Sequence, residues 1–294
     1  MIVFCGYGNS DQTVHVPALP GAGDRVQALD VQRHDGGMAA NAAAAAARTG
    51  ADAAFAGVVG TDPLSTAFLD RLAADGVDTA WVSRDGRLTT AIVLVTPDGE
   101  RSVISQDDDV TEEYVAQVVL RLGAAGGGWL YLDGYRFPWA GPLLAAAPNL
   151  RVVVDLDGCE RTEAALAALS VAEHAIIGRT QAGWLLGEDP GALAVAHRIH
   201  LVVTDGARGW QLYTPAGDTC TGEALSVEAQ DATGAGDCFV GCYAAELERG
   251  AHPAEAARFA SVAAGLSCRH PGARTGQPTR AEVTAHLTKA GSAH

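Results

Sequence analysis

Apolar residues in this chain gather in short unbroken runs instead of alternating with polar ones. Runs of strand length occupy residues 2–5, 53–59, 129–132, 152–156, 175–177 and 201–204. A continuous apolar run predicts a strand buried on both faces, as in a parallel sheet. Between these runs lie alanine-rich stretches at 41–48, 64–75, 164–169 and 254–268, and alanine has the highest intrinsic helix propensity. The alternation predicts an α/β fold, with a mostly parallel central sheet and helices covering both faces.

Residues 12–34 and 89–106 break the rhythm. The second stretch holds strand-like pieces at 89–95 and 101–105, joined by the turn Thr96-Pro97-Asp98-Gly99. We read the two stretches as a small β-sheet inserted into one domain spanning 1–294. Such a sheet would lie over the carboxyl ends of the parallel strands, where ligands of open α/β sheets bind, and so act as a lid. The oligomeric state stays open in the sequence, although an exposed apolar face on such a sheet often pairs with its twin, which makes a homodimer through the lid a candidate.

The 294 residues are 48% hydrophobic, enough for one large core. The net charge of −15 repels nucleic acid and anionic membrane, and no basic patch offsets it. Lysine occurs only at Lys289, so cationic roles fall to arginine or to backbone amides. The six cysteines lack CxxC spacing, which speaks against zinc and a disulfide framework. Free thiols suit a reducing compartment. The apolar start has no basic flank, and no run reaches the ~18 residues of a spanning helix. A cytoplasmic protein is expected.

The candidate chemistry sits at 231–239. Asp231-Ala232-Thr233-Gly234-Ala235-Gly236-Asp237-Cys238-Phe239 leads directly into a helical pattern over 239–248. Unpaired amides at a helix start bind anions without lysine, and Gly234 and Gly236 let the backbone approach a phosphate. Ala235 lies between them. Asp237 reads either as a helix cap or as the base that takes the proton of an attacking hydroxyl.

The full string resembles the C-terminal signature of the ribokinase-like (PfkB) sugar kinases, with Ala232 departing from the commonest form. Gly36-Gly37-Met38-Ala39-Ala40-Asn41, ahead of an alanine helix, is similar to the N-terminal signature of the same family. The resemblance implies a three-layer ribokinase-like sandwich and phosphoryl transfer from ATP with Mg2+ to a sugar, with Asp237 as base. It leaves a monovalent cation as a further candidate cofactor. By the same resemblance Asp11, Gly36, Gly37 and Asn41 hold the sugar. Thr204, Gly206 and Gly209, in a T-x-G-x-x-G-like stretch, border the nucleotide together with Thr233, Gly234 and Gly236.

One motif departs. Where the family carries N-x-x-E, this chain reads Gly178-Arg179-Thr180-Gln181. Gln181 keeps hydrogen-bonding capacity without charge, so Asp155 and Asp157, at the end of a strand, are the remaining candidates beside it for the metal. Details of the tail at 271–276 resemble ketohexose kinases, and among them sulfofructose kinases. Arg25 and Arg136 match positions where those carry basic residues, which implies an anionic sugar; ribose and nucleosides remain alternatives. Two rival readings are a sugar sensor without catalysis, motivated by Gln181, and a dinucleotide-dependent oxidoreductase. Against the latter, Gly6-Tyr7-Gly8 lacks the third glycine of GxGxxG.

Overall fold

A computed structural model of the chain describes residues 1–98, 100–187 and 189–291. The elements begin with β1 (Ile2–Cys5), β2 (Asn9–His15), β3 (Asp30–Gly36), α1 (Met38–Arg48), β4 (Ala53–Ala56) and α2 (Pro63–Ala74). Then come β5 (Thr89–Val95), β6 (Arg101–Ser105), α3 (Glu112–Ala124), β7 (Gly128–Asp133), α4 (Ala140–Ala145), β8 (Leu150–Asp155) and α5 (Thr162–Leu169). The remainder is β9 (His174–Gly178), α6 (Arg179–Leu185), α7 (Pro190–His197), β10 (His200–Thr204), β11 (Trp210–Tyr213), β12 (Thr219–Gly222), α8 (Ala235–Glu248), α9 (Pro253–Ser267) and α10 (Arg280–Gly291).

The main sheet has eight strands in the order β12-β11-β10-β9-β8-β7-β1-β4. All its pairings from β10 through β4 are parallel; β11 and β12 add an antiparallel edge. The continuous apolar runs are explained by burial on both faces. Ile2 and Phe4 of β1 join the core beneath α1, α8 and α9, whereas Val3 and Cys5 join the one beneath α3 and α5. The run at 53–59 ends as a strand at Ala56.

A second sheet, ordered β3-β2-β5-β6, is the predicted insertion. Strands β5 and β6 fall on the expected residues, while β2 starts at Asn9 and β3 continues to Gly36, beyond the 12–34 segment. The 96–99 turn includes Gly99, which lies outside the described residues. Register gives this sheet two unlike faces. Asp11 pairs with His34 and Ala91, and the opposite face carries Val14, Val31, Ile92, Leu94 and Ile104. Val31, Ile92 and Ile104 are exposed there at 51%, 42% and 63%. Among the described residues, no helix is long and apolar enough to cross a membrane.

Candidate active site

The site is built where α1 meets α8. Both helices are lined by small residues: Ala39 to Ala46 are buried in α1, and a Cβ added to Gly241 of α8 would lie 2.1 Å from the carbonyl oxygen of Ala42. That close approach brings the first turns of the two helices together. Asn41 Nδ2 donates to Asp237 Oδ2 at 2.8 Å.

Gly234 caps α8 with φ of 72°, a left-handed conformation that glycine adopts without strain. A Cβ on it would lie 2.6 Å from that of Ala273, so the tail packs onto the turn. The first helical bond runs from Cys238 N–H to Gly234 C=O at 2.8 Å. The amides of Gly236 and Asp237 precede it and point out of the helix end, where the macrodipole adds positive potential. Asp231 fixes the turn, its Oδ1 accepting from Thr233 N–H at 2.9 Å and Oγ1–H at 2.6 Å, its Oδ2 from Gly272 N–H at 2.8 Å. The Thr233 hydroxyl is therefore spent on the turn.

Burial pushes the Asp237 carboxyl up to about 6. The Asn41 hydrogen bond opposes that rise, Asp157 adds to it, Arg274 opposes it and Asp133 adds to it. A carboxylate titrating there is ionised at neutral pH and still basic enough to take a proton in transit.

Around Asp237, the structure gathers Asp11, Gly36, Gly37 and Asn41. Gly37 precedes α1 at φ of 96°, and a Cβ there would lie 2.4 Å from Gly8 Cα. A Cβ on Gly36 would lie 2.6 Å from Asp11 Oδ2. Asp11 Oδ1 accepts from Asn9 Nδ2 at 2.9 Å, and burial raises its carboxyl above the usual range. Asn9 Oδ1 is buried without a hydrogen-bond partner.

The other side of the site is made by the carboxyl ends of the parallel strands, at Asp133, Asp155, Gly178 and Thr204. Asp155 Oδ1 accepts from Asp157 N–H at 3.1 Å, and Asp157 Oδ1 from Gly178 N–H at 2.8 Å. Burial raises both carboxyls. A cleft of about 300 Å³ is lined by Asp157, Gln181, Thr204 and Gly206. Gly209 sits beyond it, where β11 begins. Gln181 Nε2 donates to the Cys159 carbonyl at 2.9 Å, so Oε1 is the acceptor left to this side chain. Among the described residues, no three His, Cys, Asp or Glu side chains are grouped to hold a metal. The carboxylates of Asp155 and Asp157 offer oxygen ligands of the kind Mg2+ takes beside substrate phosphates.

Of the two arginine expectations, the one for Arg136 needs correction. Arg136 does not face a ligand: it is 3% exposed, with Nε on Asp133 Oδ1 at 2.8 Å and Nη1 and Nη2 on Asp108 at 3.0 and 2.7 Å. Its Nη1 also donates to the Val110 carbonyl at 2.9 Å. Two carboxylates and a carbonyl already consume the fork that an anionic sugar would need. Arg25 is exposed in the segment joining β2 and β3. Conversely, sequence reading gave no role to Arg274 or Gln277, whose contacts reach Asn41 from the tail; the only signal was the similarity of the 271–276 segment.

The chain matches the pfkB family of carbohydrate kinases over residues 1–280. It is 29% identical over 289 residues to a ribokinase of Bacillus subtilis, covering 96% of this chain and 97% of that one. Against a fructokinase of Vibrio alginolyticus it is 30% identical over 281 residues, covering 84% and 90%. Its fold is similar to the crystal structure of ribokinase from Thermotoga maritima, with a TM-score of 0.84, 22% identity and coverage of 98% and 99%. With the glycine turn, Asp237 and Asn41 placed as above, the chain belongs to the PfkB carbohydrate kinase family and is an ATP-dependent sugar kinase of the ribokinase and fructokinase type.

Proposed function

We propose that the acceptor is a neutral sugar of the ribose or fructose kind, phosphorylated on a hydroxyl whose proton passes to Asp237. The observation that carries this reading is the chemistry of the side chains gathered there: the carboxylates of Asp11 and Asp237 are hydrogen-bond acceptors. Acceptors suit hydroxyl donors and repel an anionic group. Ribokinase and fructokinase relatives are compatible with either sugar.

In this reading the Gly236 and Asp237 amides cradle the transferred phosphoryl group, and Asp11 and Asn41 orient the sugar. Asp155 and Asp157, their charge uncompensated by protein cations, would hold Mg2+ with Gln181 Oε1 beside them. Mg2+ held there would supply positive charge against the phosphates. The monovalent cation stays a candidate with no assigned residues. For the nucleotide base, an apolar cleft of about 540 Å³ lined by Trp210, Leu225, Ala254 and Val262 lies beyond Gly222. We also propose that the apolar outer face of the lid, with Val31, Ile92 and Ile104, pairs with that of a second copy. Light scattering of wild type and Ile104→Asp tests this; a monomeric wild type sinks it.

The functional test is ATP turnover over a panel of ribose, fructose, sulfofructose and nucleosides. The proposal expects a neutral sugar to have the highest kcat/KM. A preference for sulfofructose contradicts it, and absence of turnover with every acceptor favours a binding protein.

A further inference from the structure

Arg274 lies between the tail and the α1/α8 contact, and no step above uses it. Only 7% of it is exposed. Its Nε donates to Asn41 Oδ1 at 2.8 Å and its Nη2 to the Gly36 carbonyl at 3.0 Å. Asn41 is thus held at both ends, its oxygen by a guanidinium and its nitrogen on Asp237.

This arrangement selects one orientation of the Asn41 amide. Turned end for end, the amide would set its oxygen against the Asp237 carboxylate and its NH2 against a guanidinium that has only donors. The tail is itself anchored: Arg48 Nη1 donates to the carbonyls of Arg274 and Gln277 at 3.0 and 2.9 Å, and Gln277 Nε2 donates to the Asn41 carbonyl at 2.9 Å. Phe68 lies under the guanidinium, 4.8 Å from ring centroid to Cζ. The nearest carboxylate, Asp35, is 3.8 Å away and outside hydrogen-bonding range, and Nη1 has no hydrogen-bond partner. Burying a cation this way is costly, and what it obtains is a directional contact with Asn41.

We propose that Arg274 is a positioning residue: it fixes the Asn41 amide, and through it holds the Asp237 carboxylate toward the acceptor hydroxyl. The inference rests on Asp237 being the base. The charged groups that face Asp237 are Asp157 and Asp155 after and at the end of β8, Asp133 at the end of β7, and Arg274 itself.

The test uses Arg274→Gln and Arg274→Lys, alone and combined with Asn41→Ala, in the full chain. The first readout is the carboxyl-carbon NMR titration of Asp237, assigned by its loss in Asp237→Asn, which needs no turnover and so separates this inference from the kinase reading. Arg274→Gln should move the midpoint upward, since both the positive charge and the enforced Asn41 donor are weakened. In turnover, kcat should fall on the order of tenfold or more, as misorientation effects do, with a smaller change in KM. Arg274→Lys should restore the midpoint only in part and leave kcat low, because a flexible point charge returns the positive charge but cannot reproduce the fork. In the Asn41→Ala background, Arg274→Gln should add little. Three results would overturn the proposal: an unchanged midpoint and kcat in Arg274→Gln, full recovery of kcat by lysine, or an equal loss with and without Asn41. A lower melting temperature accompanied by a wild-type midpoint would mark Arg274 as structural only.

Discussion

Asn41 Nδ2 and Asp237 Oδ2 meet at 2.8 Å across 196 residues of sequence. That contact joins the two family signatures into one site, tying the residue proposed to orient the sugar to the one proposed to take its proton. Because the bond is to the ionised carboxylate, it lowers the Asp237 pKa against the effect of burial.

Asn41→Ala should therefore raise that pKa from about 6. A general base acts when deprotonated, so the acid limb of kcat/KM should move to higher pH and the loss should be greater at mildly acidic than at alkaline pH. A pH profile of the variant checks this; a parallel drop at all pH values speaks against the coupling.

The helix crossing beneath this contact is sensitive to a single methyl group. Gly→Ala inside a helix ordinarily stabilises by about 1 kcal/mol. At Gly241 the added Cβ meets the Ala42 carbonyl oxygen at 2.1 Å, and overpacking costs about 1–3 kcal/mol. Gly241→Ala should lower the melting temperature and reduce kcat together. A stabilised variant with full activity would show that the crossing can relax.

Arg136 gives the opposite kind of expectation. Removing it leaves Asp133 fully buried without its cation, and breaking a buried pair costs about 3–5 kcal/mol. Asp108 is 17% exposed and regains water. Arg136→Met should cut urea stability severely while leaving the ranking of sugars unchanged. A changed ranking with retained stability would return Arg136 to the substrate.

For the metal, Asp157→Asn should raise the free Mg2+ needed for half-maximal rate several-fold, by loss of one negative oxygen ligand. Gln181 donates to Cys159, a bond glutamate cannot make, so Gln181→Glu should gain metal affinity only at a cost in stability. A magnesium titration with parallel melting curves reads both.

How far these features could be read from sequence depended on how local they are. Strands β5 and β6 were legible because apolar residues are bounded by a Pro-Asp-Gly sequence, and the turn ahead of α8 because its glycines adjoin a helix start. The edge hairpin of β11 and β12 was not, since Thr219–Gly222 carries no apolar run and is fixed by pairing with Trp210–Tyr213. Nor was the fate of Arg136, which depends on Asp108 arriving from 28 residues away. Arg274 donates to Asn41 across 233 residues, and apart from the family likeness of the 271–276 segment nothing in its neighbours signals the contact.

The central claim is that the Asp237 carboxylate takes the acceptor proton, and it is most directly tested by single-turnover phosphorylation of the best neutral sugar in wild type and Asp237→Asn. Sugar binding, measured separately by calorimetry, should stay close to wild type, because the lost group acts on the proton in transit. The rate of the chemical step should fall by at least a hundredfold, the lower range of general-base effects. A fall of less than about tenfold with binding intact would mean that the proton leaves by another route and that Asp237 serves only as an acidic residue in the first turn of its helix.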